Sequence, residues 1–173
     1  MRAHIALFSF AFLASSALGC GGTVEIPRIC FKQADLAVPG SPAGGSVTSP
    51  SFSIDLTNQI PLLRTNTSDT DLRVDQVTIT PVAGTTPDLS GIQTATMQAQ
   101  PATGPAQEVV RYQRDPAAPP PTAIVLDGDT VNLQPYLVAG RANLSVTLTG
   151  QPPVTGWTAD VETCLHATAS VSP

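Results

Sequence analysis

The most regular pattern in the chain lies at its end. From Trp157 onward apolar residues fall at every second position, through Trp157, Ala159, Val161, Leu165, Ala167, Ala169 and Val171, with Thr163 the one polar member of the row. Thr158, Asp160, Glu162, Cys164, His166, Thr168 and Ser170 take the alternate positions. A period of two belongs to an extended strand with one face in a core and the other in water. Upstream, Leu144, Val146 and Leu148 alternate with Ser145, Thr147 and Thr149, Phe52, Ile54 and Leu56 mark a second strand, and Val109 to Gln113 mark a third. Leu72 and Val74 share one phase while Val77 and Ile79 share the other, which predicts a bulge at Asp75-Gln76, because one extra residue resets the alternation.

Gly140-Arg141 reads as a two-residue type II′ hairpin turn, so the segment 131–139, the strand after it and the last strand are expected to form an antiparallel meander. Pro135 within Asn132 to Leu137 predicts a short helical turn, since an interior strand needs the N–H that proline lacks. All of the chain's 17 prolines lie beyond residue 20, at spacings that forbid long helices. The stretches 39–50, 101–106, 115–122 and 150–156, rich in Pro, Gly, Ser and Thr, read as surface loops. Several short strands punctuated by turns predict an all-β fold, a single antiparallel β-sandwich of immunoglobulin-like or similar type, with a closed barrel as the alternative.

The first residues follow a different rule. Met1, Arg2, Ala3 and His4 precede an uncharged apolar stretch from Ile5 to Leu18, the layout of a cleaved signal helix, and the stretch is too short to span a bilayer. Ser16-Ala17-Leu18-Gly19-Cys20 follows, and it resembles the lipobox of bacterial lipoproteins, with Ala17 standing where that family usually has Leu. The resemblance implies cleavage before Cys20 and a lipidated Cys20 as the new N-terminus, because its sulfur accepts the diacylglyceryl group. The implied division is a signal over 1–19, a lipidated tether over 20–23 and one β domain over 24–173. Gly21 is not the acidic residue that marks inner-membrane retention in well-studied Gram-negative bacteria, which favours the outer membrane. Ala17 and Gly19 also form an ordinary secretory cleavage site, and that alternative makes the protein a secreted one.

There are three cysteines, Cys20, Cys30 and Cys164. Cys30 shares a strand face with Arg28 and Lys32, and Cys164 sits on the polar face of the last strand. A disulfide between neighbouring first and last strands is therefore expected, and if Cys20 carries lipid no thiol is left over. The two cysteines lack a Cys-x-x-Cys spacing, so the bridge is read as structural rather than redox-active.

The formal net charge is −5, and loss of the signal removes Arg2 and makes the remainder one unit more negative. Nucleic acid and anionic headgroups are poor partners for such a surface. Three of the 5 phenylalanines fall in the signal, which leaves scattered aromatics rather than a stacking platform for glycans or bases. His166 is the one histidine outside the signal, so a catalytic triad or multi-histidine metal site must include it. No Gly-x-Ser-x-Gly elbow supplies a nucleophile, and His166 is expected to be a surface residue beside Glu162.

Carboxylates concentrate at Asp69, Asp71 and Asp75 and again at Asp127 and Asp129. Asp69, Asp71, Asp127 and Asp129 are the candidate carriers of a bound Ca²⁺, although neither cluster has the EF-hand spacing and both suit ordinary turns. The Asn-x-Ser triplets at Asn66 and Asn143 carry little weight in an expected bacterial protein. The leading expectation is a non-enzymatic envelope lipoprotein, held to the membrane through Cys20, with an envelope protein as partner and no cofactor. The alternative is a calcium-dependent glycan-binding or adhesion module, and a hydrolase working through His166 comes third.

Overall fold

The computed structural model describes residues 22–57, 60, 69–84, 86–128 and 131–171. The signal, Cys20, Asn66 and Asp129 lie outside the described residues, as do the side chains of Asp69 and Val171. The fold is all-β. Its strands are β1 (Gly22–Val38), β2 (Gly45–Thr48), β3 (Phe52–Asp55), β4 (Asp69–Pro81), β5 (Ile92–Ala99), β6 (Gln107–Gln113), β7 (Ile124–Asp127), β8 (Leu137–Val138), β9 (Arg141–Gly150) and β10 (Trp157–Val171). No helix among the described residues is long and apolar enough to cross a membrane.

The strands pair antiparallel in the order β1-β10-β4-β7-β6-β5-β9-β2, with β3 and β8 also on β9. Laid flat, the seven steps of ~4.8 Å along that order would hold β1 and β2 about 34 Å apart. The backbone from Val38 to Gly45 reaches at most about 25 Å. The sheet must therefore curl, and its inner face forms one contiguous apolar core running from Leu36 and Val38 through Leu72, Ile79, Met97, Leu126 and Leu148 to Leu165 and Ala167. Among the described residues, pairing continues between the two halves of the sheet through Arg111–Asp127. The expected sandwich is thus met in its all-β, antiparallel character, while its halves belong to one curled sheet.

The alternation read at the C-terminus holds, since Trp157, Ala159, Val161, Leu165, Ala167 and Ala169 are buried and Thr163 is buried with them. The bulge in β4 is where the phase change placed it: Cys164 pairs Gln76 and Leu165 pairs Val74, which leaves Asp75 as the extra residue. A 3₁₀ turn occupies Gln134–Tyr136 with Pro135 in its first turn.

Three expectations are corrected. The hairpin turn is Ala139-Gly140, one residue earlier than read, and both residues have positive φ (51° and 75°), the type I′ geometry. The meander stops at β9, because β10 pairs with β1 and β4 instead. The stretch 39–50 is not all loop, since it contains β2 with Val47 buried.

Two local devices keep the edges regular. Pro50 separates β2 from β3, and the buried Ser49 closes the gap: its N–H donates to the Val146 carbonyl (2.8 Å) while its hydroxyl accepts the Val146 N–H (3.0 Å). Beyond β7, Asn132 does the same for β4, its Oδ1 accepting the N–H of Leu72 (3.1 Å) and of Gln134 (2.9 Å). Gly128 lies so close to β4 that a Cβ there would stand 2.1 Å from the Val74 carbonyl oxygen.

Candidate functional site

The charged residues gather on the outer face of β1, β10 and β4, around the disulfide. Antiparallel register places Cys30 directly opposite Cys164, and the two form the bridge, with a Cα–Cα distance of 4.0 Å. Cys30 is exposed and Cys164 is buried. The bridge thus fastens the edge strand β1 to the long central strand β10.

On the β4 side the bulge lifts Asp75 out of the ladder and turns its carboxylate toward β10 and β1. One oxygen meets His166 Nδ1, and the other lies 3.9 Å from Arg28 Nε. Arg28 also donates to Gln76 Oε1 (3.1 Å). His166 therefore engages Asp75 across the sheet rather than Glu162 along its own strand, as had been expected. The bulge was legible in the sequence; that it aims a carboxylate at His166 depends on the β4–β10 register.

Further along the same face, Lys32 Nζ lies 2.6 Å from Asp160 Oδ2, and the Asp35 N–H donates to Asp160 Oδ1 (3.2 Å). Lys32 holds the Asp160 carboxyl below the usual carboxylate range, and Asp160 in turn raises the Lys32 ammonium. Lys32, Thr78, Thr80, Asp160 and Glu162 line a shallow depression of ≈ 210 Å³. Every charge in it is open to solvent, so the pair is screened and contributes little to stability.

Asp71 pairs with its strand neighbour Arg73 (2.8 Å). Asp127 is opposite Gln76, and the run of β4 from Asp71 to Gln76 covers roughly 15 Å. The two described calcium candidates thus sit well apart, and among the described residues no group of three or more His, Cys, Asp or Glu side chains converges as metal ligands would.

A second feature lies at the far end of β1. Ala37, Val38, Pro39, Pro50, Gly156, Trp157 and Thr158 line an open, largely apolar groove of ≈ 380 Å³. It marks where the two edges of the curled sheet approach each other. The short linker Pro39 to Gly44 brings them together, and the Ser41 N–H holds it to the Pro153 carbonyl (2.9 Å).

The chain matches no family model, and no curated protein matches it. Among solved structures it is similar to the decameric BFDV capsid protein, at 15% identity over 87% of this chain and 99% of that one, with a TM-score of 0.37. It is also similar to a structure of infectious bursal disease virus Gt strain, at 11% identity over 87% of this chain and 37% of the other, with a TM-score of 0.32. At these values the likeness carries nothing about what the chain does.

As chemistry, the outer face offers a carboxylate–imidazole pair beside the Arg28 guanidinium. General-base catalysis needs a nucleophile within hydrogen-bond reach of the imidazole. The sulfur nearest His166 along β10 belongs to Cys164 and is bound in the bridge, so it offers no thiolate. Asp75 ties β4 to β10 through His166 and to β1 through Arg28, beside the covalent tie of the disulfide.

Proposed function

We propose that this protein is a non-enzymatic lipoprotein of a bacterial envelope, a β module held at the membrane through lipidated Cys20 and built to bind another envelope protein. The observation that carries the reading is the Cys30–Cys164 bridge. Of the 3 cysteines, Cys20 then has no cysteine left to pair with in its own chain, and it is the residue that the lipobox resemblance marks for acylation. The bridge itself belongs to an oxidising, extracytoplasmic compartment.

The architecture supports the same reading. β1 begins at Gly22, two residues past Cys20, so little free tether separates anchor from domain. Gly22 pairs with Val171 and Thr23 with Ser170, so the end of the domain next to the anchor also carries the C-terminal end of β10. Two or three acyl chains at ~0.8 kcal/mol per buried methylene would hold it firmly. The far end of β1 lies roughly 50 Å away along the strand, which carries the groove at Trp157 and Pro50 outward from an anchor at Cys20.

The test is the mass of the N-terminal peptide of protein extracted from the membranes of its own host. A peptide beginning at Cys20 with acyl chains supports the proposal. An unacylated N-terminus overturns the anchored reading in favour of a secreted domain with an odd thiol.

A further inference from the structure

The loop between β6 and β7 has a conformation that its own sequence dictates. It runs Arg114, Asp115, Pro116, Ala117, Ala118, Pro119, Pro120, Pro121, Thr122 and Ala123; every residue from Asp115 to Pro120 is exposed and Pro121 is half-buried. The Arg114 N–H donates to the Gln93 carbonyl (2.9 Å), which fixes the start of the loop to β5. A tight turn follows: Asp115 Oδ1 accepts the Ala117 N–H (2.8 Å) and the Asp115 carbonyl accepts the Ala118 N–H (3.1 Å).

After that turn sterics take over. Each proline ring holds φ near −65°. Ala118, Pro119 and Pro120 each precede a proline, and a residue in that position is driven from the α region into the extended one. Sterics therefore drive Pro119 and Pro120 into left-handed polyproline II, with Ala118 extended before them and Pro121 continuing at a fixed φ, a segment about 9 Å long at ~3.1 Å per residue. It carries no N–H over the three prolines, and it is clamped at one end by the Asp115 turn and at the other by β7, which starts at Ile124.

An exposed, pre-formed polyproline segment is what an aromatic-lined groove reads, since the ligand loses little conformational entropy on binding. We propose that Pro119-Pro120-Pro121 is the partner-binding surface of this protein, and that its partner is a protein domain with a groove of aromatic side chains that reads adjacent prolines. This inference rests on the protein-binding reading above and names its surface. The spacing Pro116-x-x-Pro119 also occurs, but the turn at Pro116-Ala117 takes Pro116 off the polyproline helix. Readers that need two prolines three positions apart on one such helix are thereby excluded, and readers of consecutive prolines are selected.

The experiment uses the full chain and a fluorescently labelled WW domain as probe of an adjacent-proline groove. Three proteins are titrated: the unaltered chain, the variant P119A/P120A/P121A, and the control P42A/P152A, which removes two prolines from loops at the Trp157 end. The expected result is saturable binding that weakens at least tenfold in the triple variant and stays within twofold in the control, with backbone NMR shifts in the unaltered chain confined to 114–123. Unchanged melting temperatures establish that all three are folded. Absence of saturable binding, or equal loss in the control, overturns the proposal. Neither result bears on acylation of Cys20, so the two proposals fail separately.

Discussion

Removing the Cys30–Cys164 bridge is the perturbation with the largest worked consequence. The two residues are 134 apart in sequence. In the chain-entropy account, closing a loop of that length costs the unfolded chain about 17 cal/mol/K, or about 5 kcal/mol at 25 °C. The cysteines are directly opposed in a register that the flanking pairs Ile29–Leu165 and Phe31–Thr163 hold in place. The variant C30A/C164A, which leaves no unpaired thiol at either position, is therefore expected to unfold about 10–20 °C lower, at ~2–4 °C per kcal/mol for a domain of this size. Urea denaturation distinguishes the cause. If the bridge acts by compacting the unfolded chain, its removal also steepens the dependence on urea, since more surface becomes exposed on unfolding. A loss below about 1 kcal/mol with an unchanged slope would refute the loop-entropy argument and leave the ladder hydrogen bonds as the main tie between β1 and β10.

Three further outcomes follow from buried polar groups and charges. Thr163 is fully buried and its hydroxyl has no hydrogen-bond partner among the described residues, so the isosteric Thr163→Val should raise stability by about 1 kcal/mol in urea unfolding; destabilisation would mean that the hydroxyl is satisfied. Asn132→Ala leaves the N–H groups of Leu72 and Gln134 without their acceptor and should cost about 1–3 kcal/mol by the same measurement. Asp55, Asp88 and Asp160 are held below the usual carboxylate range by the Thr57 hydroxyl, the Ser90 hydroxyl and Lys32 respectively. Groups with depressed folded values contribute stability above their unfolded pKa of ~3.9 and lose it as pH falls through the folded values. The urea midpoint should therefore be flat from neutral pH to about 5 and fall below about 4, and Asp160→Asn should remove part of that fall.

Much of the strand content was legible because burial on one face writes itself into the chain at period two. β10, β9, β3 and the β4 bulge were all read from alternation, and the short helical turn was read from Pro135. β5 was missed, and its inward residues explain why: Ala95 and Ala99 are too small to stand out against Thr94, Thr96 and Gln98, although both are buried. β2 was hidden for a similar reason, as Val47 is its one buried residue in a setting of Gly, Ser and Thr. The disulfide was legible because both cysteines lie on the polar face of their strands and the lipobox resemblance set the odd cysteine, Cys20, aside. The contact of His166 with Asp75 was not, because the residues are 91 apart and their meeting depends on which strand β10 chooses as neighbour.

The sequence by itself determined what is local: the strand faces, the turn that breaks at Pro135, the phase slip at Asp75 and the conformation of Ala118 to Pro121, each set by side-chain alternation or proline sterics within a few residues. Only the tertiary structure decided strand order, the departure of β10 from β9 to lie between β1 and β4, and the curl that brings the sheet edges near Trp157. Those choices belong to the whole core. An antiparallel strand with one apolar face can pair equally well with several neighbours, and the arrangement that wins is the one that buries every inner face at once within the reach of the connecting loops.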